Sequence, residues 1–314
     1  PPGVTYETDW VSSHHVGNGL RNQIIRDSSV NTITLTSPLP EVPSWSIINL
    51  GNVTLDGAGV TTGLLLNNSS NVQIRGVNLT GFSQAAIHVT GGSHDNLIDL
   101  SSVIGGAGHG VFIEGNAWQN TIRVSVSGVG GDGYRLAGAN VMMNDVEIGE
   151  KTAEQPGFIE HCGGWGIRIM DSARFNRVMA PRQLLFGQPP PGAIQSNALG
   201  GILISGPEST GNRIHPMFGP GLPILGNGGP GIRIESPSTT VSYCLIGNND
   251  GSGIEVAGTN AAGVKIIDYR ISVNCSPGRS AHITQVRWEE DGWPNPDDKL
   301  GTSTFSVRGV KTVH

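Results

Sequence analysis

The chain has 314 residues and a formal charge of −6; only 14% of its residues are charged and 47 are glycine. The negative charge excludes the basic surface of a typical nucleic-acid-binding protein, and no apolar run approaches the ~18 residues of a membrane-spanning helix. The apolar content of 37%, rich in Ile and Val, is enough to fill a core and excludes a disordered chain.

From residue 63 onward one short pattern recurs eight times: a small residue, an apolar residue, any residue and a second apolar residue. The first apolar residues of successive copies lie 23, 24, 23, 33, 35, 30 and 22 positions apart. Such a period, with short alternating strands and glycine turns, predicts a solenoid in which each repeat is one coil. The copies are GLLL (63–66), AIHV (86–89), GVFI (110–113), GYRL (133–136), GIRI (166–169), GILI (201–204), GIRI (231–234) and GIEV (253–256).

A second strand is predicted in most coils, because an Asn-x-apolar element follows the first apolar residue by 9 or 10 positions in five repeats. No helical pattern lies between the strands and a leucine-rich consensus is absent. A parallel β-helix therefore remains, with its rungs stacked ~4.8 Å apart. We expect the recurrent asparagines to stack and to bond the backbone at the corners. They are Asn96, Asn120, Asn144, Asn176 and Asn212.

The repeat spacing, with its Gly-Ile-x-Ile and Asn-x-Ile elements, resembles that of the right-handed parallel β-helix superfamily, the pectin-lyase-like proteins. The resemblance covers about residues 50–275 and implies an all-β fold, a right-handed single-stranded parallel β-helix. It also implies end caps, since an open end exposes a sheet edge. NGLRNQIIR (18–26) is similar to the short amphipathic helix that caps such solenoids. The implied divisions are an N-terminal cap and first coil at 1–50, the β-helix at 51–275 and a C-terminal cap at 276–314.

Three successive coils are longer than the others and predict insertions at 149–162, 181–198 and 215–226. Each insertion follows the second strand of its coil and precedes the next first strand. Insertions at one phase of adjacent coils stack on one side of a solenoid, where repeat proteins often carry their binding face. We expect these segments to wall a groove that binds a ligand.

Alternation along the second strands predicts which of their side chains point outward. Asp145 and Glu147 share one side of a strand, which places their side chains ~6.5–7 Å apart. Arg123 is expected one rung below Glu147, Arg177 one rung above Asp145, and Asp99 two rungs below Glu147. This ladder predicts acid/base catalysis by Asp145, Glu147 and Asp99, or else ion pairs that only keep the surface soluble.

Residues predicted to bind substrate include the arginines of this ladder, because guanidinium forks suit uronate carboxylates, and a tryptophan that offers a platform for sugar. No metal site is predicted, since Cys162 directly follows His161 and no third ligand is placed near them. The outward line of the first strands, from His88 to Glu255, is mixed in character and predicts ordinary surface. The residues predicted to bind substrate are Arg123, Arg177, Arg213, His215, Glu160, His161 and Trp165.

Three cysteines, Cys162, Cys244 and Cys275, are too few for a disulfide framework, so we expect buried thiols or at most one bridge. No cofactor is predicted. Calcium at the acidic run in 289–298 is the alternative, since hard oxygen ligands suit it, but no calcium-loop spacing is present.

Two functions follow from this sequence and its resemblance. The first is an extracellular polysaccharide lyase or glycoside hydrolase; the second is a non-catalytic glycan-binding adhesin, a surface structural protein or a phage tailspike-type module. An enzyme should hold Asp145 or Glu147 in a groove with a perturbed pKa, whereas an adhesin should pair both with arginine.

Both readings predict a polysaccharide or cell-surface glycan as partner and a secreted or cell-surface location. Neither involves nucleic acid or membrane insertion. Tailspike-like members associate as trimers, which leaves a homotrimer open. Ice binding is not favoured, because the outward lines are charged and aromatic rather than arrays of threonine.

Overall fold

The structure is a computed structural model that describes residues 32–35, 37–148, 157–180, 192–215, 221–267 and 270–271. The helix expected at 18–26 and the cap expected at 276–314 lie outside these residues, so the domain boundaries stay predictions. Every regular element in the described part is a β-strand, and it contains no helix long and apolar enough to cross a membrane.

The strands are numbered β1 to β23 in chain order. They are β1 (Thr32–Thr34), β2 (Ile47–Asp56), β3 (Thr62–Asn67), β4 (Gln73–Thr80), β5 (Ala85–Thr90), β6 (Leu97–Ile104), β7 (His109–Ile113), β8 (Thr121–Ser127), β9 (Tyr134–Ala137), β10 (Asp145–Glu147), β11 (Gly157–Glu160), β12 (Trp165–Met170), β13 (Arg177–Met179), β14 (Gly192–Gln195), β15 (Gly200–Ser205), β16 (Arg213–Ile214), β17 (Leu222–Leu225), β18 (Ile232–Glu235), β19 (Thr240–Ser242), β20 (Cys244–Gly247), β21 (Ile254–Val256), β22 (Lys265–Ile267) and β23 (Arg270–Ile271).

Every strand pairs in parallel with the equivalent strand of the next coil, which is the arrangement of a right-handed parallel β-helix and confirms the fold expected from the resemblance. The first face is an eight-stranded sheet in the order β21-β18-β15-β12-β9-β7-β5-β3. The first apolar residues of the eight repeats are direct register neighbours across it, as the repeat spacing predicts. This buried column is Leu64, Ile87, Val111, Tyr134, Ile167, Ile202, Ile232 and Ile254.

The remaining strands form one sheet that covers two further faces. In the early coils β2, β4, β6 and β8 each run along both faces, with a register shift near the bend in β2 and in β6. From β10 onward each long strand is replaced by two. The second face then carries β10, β13, β16, β19 and β22, and the third face carries β11, β14, β17, β20 and β23.

The third face corrects the sequence interpretation, which assigned two strands to a coil. Strands β11, β14 and β17 lie within the segments interpreted as insertions. Residues 149–156, 181–191 and 216–220, outside the described part, separate each of them from the second-face strand before it. The second-face strands that precede them in the chain, β10, β13 and β16, are neighbours in the sheet.

The predicted asparagine ladder lies at the first corner, between the first and second faces. Asn96 Nδ2 donates to Asn120 Oδ1 at 2.8 Å, and the same bond links Asn120 to Asn144 at 2.9 Å, Asn144 to Asn176 at 3.0 Å and Asn176 to Asn212 at 3.3 Å. Each acceptor Oδ1 also receives the backbone N–H of the preceding ladder residue. All five are buried, so the ladder satisfies the polar groups of the corner.

A second asparagine ladder, which the sequence interpretation missed, lies at the third corner, where the third face leads into the next first face. Asn197 Nδ2 donates to Asn227 Oδ1 at 3.0 Å, and Asn227 Nδ2 donates to Asn249 Oδ1 at 2.8 Å. All three residues stand five positions before the first apolar residue of their repeat. That spacing is the signal that identifies this ladder in the sequence.

Candidate functional site

Asp145 and Arg177 form a forked ion pair on the second face. They are register neighbours on β10 and β13, as expected. Arg177 Nε donates to Asp145 Oδ1 at 2.6 Å, and its Nη2 donates to Oδ2. The hydrogen bond with Asp145 raises the pKa of Arg177, so the guanidinium stays charged. Forked geometry of this kind is the strongest arrangement for an arginine and a carboxylate.

Arg123 connects the other two carboxylates that were predicted to be catalytic. Its Nε donates to Glu147 Oε2, and its Nη1 lies 3.7 Å from Asp99 Oδ2. The hydrogen bond with Glu147 raises the pKa of Arg123, while burial opposes the rise. All three predicted acid/base residues therefore lie beside an arginine.

A column of residues with left-handed backbone borders this charged row at the first corner. Five of the seven members directly precede an asparagine of the ladder, and the other two precede Val72 and Thr239. The φ angles of all seven lie between 52° and 68°. L-residues with side chains rarely adopt such angles, so the ladder hydrogen bonds hold the corner in this conformation. The column consists of Asn71, Asp95, Gln119, Met143, Phe175, Gly211 and Ser238.

An open pocket of about 500 Å³ lies between the column and the charged row. Met143 and Phe175 form its apolar side and are 45% and 49% exposed. Asp145, Arg177 and Arg213 form its polar side. An exposed aromatic ring beside a row of hydrogen-bonding groups suits a ligand that has both apolar faces and polar edges.

Arg213 is the cation of this pocket that no described carboxylate neutralises. It lies one rung above Arg177, on β16, and its side chain is exposed. His215, predicted to lie beside it, follows β16, where its backbone N–H donates to Val178 O. Arg213 thus leaves one positive charge available at the upper end of the pocket.

Three predicted binding residues lie away from this pocket. Glu160 is on the third face, where it accepts from Gln195 Nε2 at 2.8 Å. His161 is exposed at the third corner. Trp165 is buried on the first face and donates its backbone N–H to Asp132 Oδ1. Glu160 and His161 lie at the end of β11, which the sequence interpretation did not place. Trp165 begins β12, one position before the predicted strand GIRI (166–169).

A side-chain cluster on the first face corrects the expectation of ordinary surface there. The His88 ring stacks on Phe112 with centroids 5.1 Å apart and planes 6° apart, and His88 is only 8% exposed. His109 packs against Phe112 from the side, and the guanidinium of Arg135 lies 5.6 Å from its ring centroid. Register neighbours at a fixed place in successive repeats were the signal for this cluster.

His109 is held neutral within this cluster. Its Nδ1 accepts the backbone N–H of Asp132 at 2.9 Å. Burial lowers the pKa of His109, and the charges of Arg135 and Arg168 lower it further, while Asp132 acts in the opposite direction. Burial is the largest of these effects, and the Asp132 charge is the next largest.

Neither the metal nor the thiol candidates contribute to a site in the described part. Its His, Cys, Asp and Glu residues form no group of three that could hold a metal ion, and the acidic run in 289–298 lies outside it. Cys162 and Cys244 are free and buried, and burial raises the pKa of each thiol to about 12. They are protonated structural side chains.

No family model and no curated protein matches this sequence. Among solved structures, the chain is similar to the catalytic domain of a GH87 alpha-1,3-glucanase in complex with tetrasaccharides, in two variants. The identities are 12% and 13%, each match covers 87% of this chain and 70% of the other, and the TM-score is 0.30 in both cases. Similarity at this level supports no inference about the activity of this chain.

Proposed function

We propose that the second face binds an extended polysaccharide along the pocket beside the first corner. The observation that carries the proposal is the pairing of exposed Met143 and Phe175 with the polar row of Asp145, Arg177 and Arg213. A sugar ring has an apolar C–H face that stacks on an aromatic ring, and hydroxyl edges that bond to carboxylates and guanidinium groups. Rungs that repeat every ~4.8 Å offer such groups along the length of a polymer.

Binding without turnover is supported better than catalysis, because the carboxylates are engaged. Asp145 accepts both bonds of the Arg177 fork, and Glu147 accepts from Arg123. A general acid or base needs a proton position that is open to the substrate. Carboxylates paired with arginine were expected of an adhesin rather than of an enzyme, so this pairing favours a glycan-binding protein. A secreted or cell-surface location is part of the same proposal.

Hydrolysis is the second candidate function. Asp145 and Glu147 both point outward from β10, and their side chains stand ~6.5–7 Å apart by strand geometry. Inverting glycosidases separate their two carboxyl groups by about 6.5–9.5 Å. A substrate that displaced the arginines would free this pair for acid/base chemistry. A lyase acting on a uronate polymer would use the same pocket.

The first test measures binding to a panel of neutral and uronic polysaccharides by affinity gel electrophoresis. Phe175→Ala should weaken binding about tenfold, since loss of one aromatic platform costs about 1–1.5 kcal/mol. Tyr243→Ala is the matched control, because Tyr243 is also aromatic, is 51% exposed and has a φ of 51°, but lies at the second corner. Equal retention of both variants, or binding to no polysaccharide, would refute the proposal.

The same panel separates binding from turnover. Reducing ends without ultraviolet absorbance indicate a hydrolase, and absorbance from unsaturated uronates indicates a lyase. Either product should disappear in Asp145→Asn. Retention of polysaccharide without any product identifies a binding module.

A further inference from the structure

Two arginines lie side by side on the first face, well away from the pocket of the second. Arg135 on β9 and Arg168 on β12 are direct register neighbours that point outward, so their strands lie ~4.8 Å apart. Both side chains are half-buried. Like charges in directly opposed positions destabilise a sheet, so this pair needs a compensating group.

The described part of the chain supplies no carboxylate to either arginine. Asp132 is committed to the backbone N–H of Trp165 and lies beside His109, and Glu114 binds His88 Nε2 at 2.9 Å. The two arginines have no salt bridge with any described residue.

The Nε atoms of Arg135 and Arg168 are buried and have no hydrogen-bond partner among the described residues. A buried donor without an acceptor is unfavourable, because its lost hydration is not replaced. Arg135 makes one lateral contact, from Nη1 to His109 Nε2 at 3.4 Å, which brings no negative charge.

Arg233 occupies the equivalent outward position in a later coil, and there the arginine is neutralised. It lies two rungs above Arg168, and its Nε donates to Glu235 Oε1 at 2.7 Å, with Glu255 Oε2 at 3.8 Å from its Nη1. Among the described residues, one arginine of the row is thus paired internally and two adjacent ones have no counter-charge.

We propose that Arg135 and Arg168 form a binding site for an oxyanion, a carboxylate or sulfate group of an acidic saccharide. Two guanidinium groups on neighbouring rungs would both donate N–H bonds to such a group from their Nη atoms, and its negative charge would relieve their repulsion. Phe112 supplies aromatic surface at one end of this site, since the guanidinium of Arg135 lies over its ring. The site stands whether or not the second face binds polysaccharide.

His109 reports whether this site is occupied. The charged groups that act on it are Asp132, Arg135 and Arg168, and both arginines lower its pKa. An anion between the arginines offsets their charge and should raise the pKa of His109. An arginine with a purely structural role would not make this pKa depend on the anion.

The test follows thermal unfolding as chloride is replaced by inorganic sulfate, or separately by galacturonate, at constant ionic strength. Wild-type protein should unfold at a higher temperature as the binding anion increases, since a ligand that binds only the folded state stabilises it. Arg168→Gln should lose this response and should be no less stable than wild type in chloride, because it removes a repulsion. Galactose is the neutral control ligand.

Arg233→Gln is the control variant in the same row, and it should keep the anion response because its guanidinium is paired internally. NMR titration of the His109 ring should show a higher pKa with the anion in wild type and no change in Arg168→Gln.

An unchanged unfolding temperature in wild type, or an unchanged response in Arg168→Gln, would overturn the proposal. A loss of stability of Arg168→Gln in chloride would overturn it too, since it would reveal a carboxylate partner elsewhere in the chain. A response to sulfate but not to galacturonate selects the sulfate ester as the ligand, and the reverse selects the uronate.

Discussion

Tyr134 occupies the first apolar position of its repeat, which is leucine, isoleucine or valine in the other seven. Its hydroxyl donates to Val124 O at 2.6 Å and accepts from Val124 N at 3.0 Å. Burial raises the pKa of Tyr134, so the hydroxyl stays protonated and keeps both bonds. The side chain thus satisfies both backbone groups of Val124, beside the bend of β8.

Tyr134→Phe should lower the free energy of unfolding by about 1–3 kcal/mol, because it leaves the buried Val124 N–H and C=O without partners. Urea denaturation measures the change. Tyr243→Phe, at an exposed position, should have no measurable effect. Equal stability of Tyr134→Phe and wild type would mean that water replaces the hydroxyl.

At the residue scale, the sequence predicted well which side chains point inward, but it predicted poorly which outward side chains pair with each other. The inward positions and the asparagine ladder follow from the repeat alone, because stacking forces equal positions together. The fork between Asp145 and Arg177 was predicted only as one of two outcomes, since rung spacing puts them in reach but does not choose between pairing and a free carboxylate.

Strands of the first face begin with a small residue because the third face packs against that position. A Cβ on Gly231 would lie 2.7 Å from both Gly253 O and Ile246 Cγ2. Gly133, Gly166 and Gly201 face equivalent isoleucines of their own coils or the next. The recurring glycine therefore marks a close approach between two faces.

Gly231→Ala should destabilise the protein by about 1–3 kcal/mol, the usual effect of overpacking a core. Gly258→Ala is its control, since Gly258 has a φ of +83° but no atom within 4 Å of a Cβ, and only backbone strain of about 1 kcal/mol applies. Thermal unfolding of the two variants compares them. A larger loss in Gly258→Ala would show that crowding is not what selects glycine at Gly231.

The third-face strands β11 and β14 were not predicted from the sequence, and the reason is physical. β11 and β14 are each four residues long, and each adjoins a stretch rich in proline, glycine and charge that reads as loop. Their alternation is too short to distinguish from a turn. These segments must be strands because the coil needs a third side to close. That requirement comes from the whole fold and is not visible in the local sequence.

At the scale of the whole molecule, each coil touches only its neighbours, so stability is a sum of coil and interface terms. Asn144 lies at the middle of its ladder. Its Oδ1 accepts from Asn120 N and Nδ2, and its Nδ2 donates to Ala117 O and to Asn176 Oδ1.

Asn144→Ala should cost about 3 kcal/mol, since several buried groups lose partners at once. Hydrogen exchange should accelerate in the coils on either side, residues 121–127 and 165–180, and much less in 232–247. Asn140→Ala is the control, because that amide bonds to Asn116 on the exposed surface. Uniform acceleration along the chain would show that the solenoid unfolds as one unit instead.

The candidate sites illustrate the limit of sequence reasoning at this scale. Repeat spacing predicted the row of charged residues on the second face, because that row needs only one strand from each coil. The pocket also needs the left-handed column at the first corner, and the arginine pair of the first face needs knowledge of which carboxylates are already used. Both are properties of several coils together.

The left-handed column has an implication for how such a protein diversifies. Seven stacked positions hold Asn, Asp, Gln, Met, Phe, Gly and Ser on nearly one backbone conformation, and at five of them the ladder asparagine that follows fixes the turn. The side chains exposed at the corner are therefore different residues from the asparagines that stabilise it. Randomising Asp95, Gln119, Met143 and Phe175 together would yield a library of recognition surfaces on an unchanged frame.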